Sequence, residues 1–122
     1  MGIAKRAWLV ARSFAKHRKA FSKPISSFQS IQKDLIDIAI KSQAGTSASF
    51  RLADMFFDHF EKKELNKDVS FRTLLNGNKI LTANYAHDCV HKSLLVLGGN
   101  GAIEDFSVLP RLFRDNLVME AW

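Results

Sequence analysis

The chain has 122 residues and 13.8 kDa, with 47% hydrophobic residues, 25% charged and two prolines, which excludes a disordered polypeptide and points to one domain with a modest core. A single cysteine, Cys89, excludes an internal disulfide, and no apolar run reaches the roughly 18 residues a membrane span needs, so a soluble, unanchored, cytoplasmic chain is expected. The net charge of +6 is uneven: residues 1–33 carry Lys5, Arg6, Arg12, Lys16, Arg18, Lys19, Lys23 and Lys33 with no acid, a field suited to nucleic acid, an anionic cofactor, an acidic partner or a solvated helix face.

From Gly2 to about Lys19, Ile3, Ala7, Ala11 and Phe14 recur at helical spacing while the basic residues gather elsewhere, predicting an amphipathic first helix. Its basic, acid-poor character would also suit an organelle-targeting helix; as a lipidation site the start fails, because Arg6 stands where Ser or Thr is required. Pro24 ends this helix, and Ser26 with Gln29 reads as a capping box opening the second. That second helix carries the stripe Ile31, Leu35, Ile38, Ser42, Gly45, Ser49, Leu52, Phe56. Its middle, "SQAGTSAS", has loop propensity, but the unbroken phase favours one long helix with a close-packing waist.

A stop is expected around "KKELNKD", with Asp68 capping a third helix from about Val69 to Leu97 that turns Ile80, Ala83, Val90 and Leu97 inward and has a weak point at "NGN", residues 76–78. Gly98 and Gly99 supply the left-handed conformations that close it. A short fourth helix from about Ser107 carries Leu109, Leu112, Phe113 and Leu117. No alternating strand pattern competes, so the fold class is all-α: a single domain over residues 1–122, an antiparallel up-down four-helix bundle.

Motifs for chemistry are sparse. "GGNG" at 98–101 lacks the Gly-Lys-Ser/Thr of a phosphate loop and follows a helix, where a dinucleotide fingerprint would follow a strand. Its bland reading is a helix stop; the sharper one is that glycines let backbone approach a ligand or a neighbouring subunit. His87 and His91 of "HDCVH" share a helical face, but Cys89 and Asp88 point elsewhere and no third ligand is evident, so no metal is expected. Cys89 reads as a small buried hydrophobe, and Phe56, Phe57 and Phe60 as core.

The two ends of the chain together carry a resemblance. "ARSFAKHRKAFSKPISSFQSIQKDL" is similar to the acyl-CoA dehydrogenase pattern R-x-x-F-G-K-P-I followed by Phe-Gln, and "LGGNGAIEDFSVLPRLFRDNLVMEAW" resembles that family's G-G-x-G-x-x-E-x-x-x-x-R-x-x-R-D segment. The resemblance implies the C-terminal four-helix bundle of a flavoprotein that oxidises acyl-CoA thioesters at the α,β bond, the N-terminal helical and middle β-domains being absent here. It implies FAD held between the β-domain of one subunit and this bundle of another, with Arg18 toward the pyrophosphate, Phe21 beside it, and Gly98 and Gly99 near the adenosine portion. A homo-oligomer follows, and a chain inactive alone. Ser22 departs from the family's glycine, and Leu95 from the glutamine of Q-x-x-G-G. The family's catalytic glutamate, in an aromatic-Glu-Gly motif, would follow Trp122, while Glu120 is out of register, so no catalytic residue is expected within the chain. The alternative is a non-enzymatic basic bundle that binds nucleic acid or another polyanion.

Overall fold

In a computed structural model, residues 1–61 and 69–121 are described. Four helices make the fold: α1 (Gly2–His17), α2 (Gln29–Glu61), α3 (Val69–Leu97) and α4 (Leu109–Glu120). Between α1 and α2 lies a small antiparallel hairpin, β1 (Lys19–Ala20) and β2 (Lys23–Pro24), with Lys19 opposite Pro24 and Ala20 opposite Lys23. The up-down bundle expected from periodicity is present; the hairpin was not anticipated, because two-residue strands are too short to show alternation. The stop near "KKELNKD" and the Asp68 cap lie outside the described residues.

Helix α1 buries a stripe of alanines, Ala4, Ala7, Ala11 and Ala15, each fully covered. Side chains this small let α1 lie close against α3 and α2, and the flanking Ile3, Val10 and Phe14 fill the sides. The main core joins Ala7, Ala11 and Ala15 to Val90, Val96 and Leu97 of α3 and to Leu109 and Leu112 of α4. A second cluster, Ala4, Ile38, Ala86 and Cys89, ties α1, α2 and α3 together.

"SQAGTSAS" is helical throughout, as the phase of the stripe requires. The Thr46 hydroxyl donates to the Ser42 carbonyl at 2.7 Å and the Ser49 hydroxyl to the Gly45 carbonyl at 2.8 Å, so these side chains are satisfied within the helix. The waist is filled by Met1: a Cβ on Gly45 would lie 2.6 Å from the Met1 Cε. Helix α3 likewise continues through "NGN".

Several expectations are corrected. The capping box does not form: Ser26 sits in a 3-10 turn (Ile25–Ser27) that precedes α2, Ser27 Oγ donates to the Pro24 carbonyl, and Gln32 rather than Gln29 reaches back, donating to the Ser26 carbonyl at 3.0 Å. Ile80 is exposed, not inward, and Leu117 of α4 is exposed as well. Phe56, Phe57 and Phe60 are not core either, Phe57 being 64% exposed. For the phenylalanines the reason is length. At 1.5 Å per residue α2 and α3 are each roughly 45–50 Å long, whereas α1 and α4 are about half that or less. The shorter helices do not cover the distal part of the α2/α3 pair, where only the mutually facing sides, such as Phe71, are buried.

Candidate functional site

The hairpin presents the first group of predicted site residues. Arg18 ends α1 with extended backbone (φ −69°, ψ 125°); its N–H donates to the Phe14 carbonyl and its carbonyl accepts from Ile25 N–H, each at 2.8 Å. The strands are joined by Phe21 and Ser22, both left-handed at φ 50° and 64°, the signs of a type I′ turn. Phe21 is thereby held out from the bundle, 91% exposed, meeting the Phe28 ring edge-on at 6.3 Å between centroids. The Arg18 side chain is exposed and has no carboxylate partner among the described residues; Lys16, Lys19 and Lys23 are exposed beside it in sequence. A free guanidinium in a basic segment is a donor set suited to phosphate oxygens.

The glycine turn presents the second group. Gly98 takes φ +62° and stops α3; Gly99 does not, and continues into a 3-10 turn (Gly98–Ala102). Gly98 and Gly99 are exposed, and a Cβ on either would meet nothing within 4 Å, so they form no cradle within the chain and leave the backbone open to an outside group. Leu95, at the position of the family's glutamine, is exposed on the preceding turn. The glycine that packing demands is Gly101, buried against Leu94 and missed in the sequence because a triplet of glycines gives no sign of which one is crowded.

After this turn, an open groove of about 400 Å³ is lined by Glu104, Phe106, Val108, Arg111 and Arg114. Arg114 is paired with Glu104, and Arg111 lies 3.9 Å from Asp115. Farther along α4, Glu120 accepts from His87 Nδ1 at 2.7 Å and from Asn116 Nδ2 at 2.6 Å, while Asn116 Nδ2 also donates to the Ala83 carbonyl at 3.2 Å. Glu120 thus anchors α4 to α3.

Between α2 and α3 stands a four-charge cluster that periodicity did not reveal. Lys41 bridges Asp37, at 3.1 Å, and Asp88; Lys92 bridges Asp37 and, at 3.4 Å, Asp88. Hydrogen bonding from Lys92 holds the Asp37 carboxyl below its ordinary value, and the two lysines outweigh burial to do the same for Asp88. Hydrogen bonds from Lys41 to Asp88 and from Lys92 to Asp37 raise the lysines in turn. Each charge has an opposite neighbour, so the cluster stitches helices and offers no free nucleophile or base. Cys89 is buried as expected, its thiol donating to the Ile38 carbonyl at 3.6 Å; burial, then the Asp88 charge, pushes its pKa up to about 11.

The predicted site residues do not converge on one enclosed pocket: none of the described cavities is lined by Arg18, Phe21, Gly98 or Gly99. The exposed Arg18, without a carboxylate partner among the described residues, and the open backbone at Gly98 and Gly99 are a donor set compatible with the phosphates of a dinucleotide cofactor. No group of three or more metal-ligating side chains occurs among the described residues, and no helix is long and apolar enough to cross a membrane.

Known proteins resemble the chain over its whole length. Residues 1–122 match the family description "Acyl-CoA dehydrogenase, C-terminal domain". A probable acyl-CoA dehydrogenase of Bacillus subtilis (strain 168) is 29% identical over 120 residues, 98% of this chain and 29% of that protein. A 3-(aryl)acrylate reductase of Clostridium sporogenes is 34% identical over 115 residues, 94% of this chain and 28% of that protein. The solved butyryl-CoA dehydrogenase from Megasphaera elsdenii superposes with a TM-score of 0.83 at 26% identity, covering 99% of this chain and 29% of that one. The chain therefore spans less than a third of these relatives. Nothing in them supports the alternative of a nucleic-acid-binding bundle. With the family's end motifs, its bundle and its full-length match in agreement, the chain belongs to the acyl-CoA dehydrogenase family, as a C-terminal helical domain of that family.

Proposed function

We propose that this bundle serves an FAD-dependent enzyme that oxidises acyl-CoA thioesters at the α,β bond, by closing over the flavin held mainly by the β-domain of an adjoining subunit. The observation that carries the reading is Arg18: a guanidinium at the root of a rigid hairpin, exposed and without a carboxylate partner among the described residues. Arg18 would hold the pyrophosphate with charge-assisted hydrogen bonds, and Phe21, extended by its turn, would cover the adjoining cofactor surface from water. The backbone at Gly98 and Gly99 would approach the adenosine portion, without the side-chain amide that the family has at the place of Leu95. Bound flavin would accept the substrate's β-hydride, and the carboxylate that takes the α-proton is assigned to no residue of this chain.

Self-association belongs to the same reading. Phe50, Phe57, Phe60, Val69 and Leu74 expose apolar side chains on the distal part of α2 and α3, and exposed apolar surface favours a partner. Sedimentation of the chain should give a mass above the monomer, and Phe57→Ser with Phe60→Ser should lower it.

The test of the flavin reading is to mix the chain with a protein comprising the N-terminal and middle domains of a relative and to measure flavin retained after gel filtration. Retention should need the chain and should fall with Arg18→Ala. Equal retention without the chain or with the variant would overturn the reading, as would tight, steeply salt-dependent DNA binding by the chain alone. By itself the chain should show no dehydrogenation of acyl-CoA.

A further inference from the structure

His87 and His91 sit one turn apart on α3, with ring centroids 6.4 Å apart and planes at 43°. A carboxylate can only accept, so the 2.7 Å contact between His87 Nδ1 and Glu120 Oε1 places a proton on Nδ1. The carboxylate is fixed from behind by Asn116, 1% exposed, whose amide donates both to Glu120 and to the Ala83 carbonyl. Because both partners are acceptors, the orientation of that amide is unambiguous.

With the Nδ1 proton committed to Glu120, a neutral His87 carries its lone pair on Nε2. That atom has no hydrogen-bond partner among the described residues, and the His87 ring, 4.9 Å from that of Phe113 between centroids, is half-buried rather than sealed in the core. His91 is exposed, with neither ring nitrogen hydrogen-bonded among the described residues. The intervening Asp88 and Cys89 are turned to α2, engaged with Lys41 and the Ile38 carbonyl.

An imidazole whose Nδ1–H is held by a carboxylate while Nε2 stays free has the orientation of metal-ligating histidines, and a second imidazole at i+4 completes a chelate. We infer that His87 and His91 form a two-imidazole binding site for a divalent transition-metal ion such as Zn²⁺, Ni²⁺ or Cu²⁺, oriented by Glu120 and with its other coordination positions filled by water. Borderline-soft ions suit imidazole, whereas Mg²⁺ and Ca²⁺ demand oxygen ligands. His91 is exposed, so its ring has room to turn toward that of His87. This site is independent of the flavin reading, and its binding can be measured on the chain alone.

Calorimetric titration of the chain with Zn²⁺ and with Ni²⁺ should show saturable binding of one ion per chain, with Mg²⁺ giving none, and a metal-dependent rise in Tm. His87→Ala and His91→Ala should each abolish saturation. Glu120→Gln, with helical content checked by circular dichroism, should weaken binding by about 10–100-fold. Absence of saturable binding, or binding unchanged in His91→Ala, overturns the site; undiminished affinity in a folded Glu120→Gln overturns the role of Glu120.

Discussion

Gly101 lies directly against the backbone of Leu94: a Cβ built on Gly101 would stand 2.5 Å from the Leu94 carbonyl oxygen and 3.0 Å from its Cα. The turn that follows α3 folds back over the helix's last residues, and only hydrogen at position 101 permits it. Gly101→Ala should therefore destabilise the chain by about 1–3 kcal/mol, as overpacking does. Gly99→Ala, in open space, should stay within about 0.5 kcal/mol of the parent. Urea denaturation of the pair checks the contrast.

Ser22 bears a different strain. Its φ of 64° is costly for a residue with a Cβ, by about 1–2 kcal/mol in the left-handed region. Ser22→Gly removes that cost and returns part of it as unfolded-state entropy, so a net gain of about 0.5–1 kcal/mol is expected in thermal or denaturant melts. A loss of stability would show that the Ser22 side chain contributes something its position does not suggest.

The cluster of Asp37, Asp88, Lys41 and Lys92 makes stability pH-dependent at both extremes. The carboxyls titrate lower folded than unfolded, so their contribution is complete above the unfolded value of about 3.9 and is lost as pH falls through the folded values. The lysines titrate higher folded, so theirs is complete below about 10.4 and is lost as pH rises through the folded values. Asp88→Asn should cost about 0.5–1 kcal/mol at neutral pH, and the Tm difference from the parent should close in acid.

Cys89 should be silent toward thiol reagents in the folded chain. Its thiol is buried and its pKa is pushed up to about 11, so little thiolate exists near neutral pH and little reagent can reach it. Ellman's reagent at pH 8 should react with one thiol per chain only after denaturant is added. Rapid labelling without denaturant would mean that α2 and α3 separate readily around Ile38.

The helices were legible because their signal is local. A 3.6-residue stripe through Ile31, Ile38, Ser42 and Gly45 records which side of α2 is covered, and it carried that helix correctly across residues with poor helix propensity. The same stripe failed at Phe56, because periodicity states which face is apolar but not whether a neighbour is long enough to reach it, and the inward positions of α3 failed at Ile80. The site residues divided similarly. Arg18 and Gly98 were singled out through motif order; Arg18 is exposed with no carboxylate partner among the described residues, and Gly98 takes the left-handed backbone expected of it. The contacts of His87 with Glu120 and of Asn116 with Ala83 join residues more than thirty positions apart, and nothing local announces them.

By itself, then, the sequence determined the helical class, the start of α2 and the end of α3 within a few residues, the burial of Cys89 and the family, since each depends on short-range pattern or on ordered motifs. Only the tertiary structure decided which glycine is crowded, which phenylalanines are bare, how the four charges between α2 and α3 pair, and which imidazole nitrogen of His87 carries its proton. Those depend on distances between segments remote in the chain, which are set when α1 packs its alanine stripe against α2 and α3 and α4 folds back along α3.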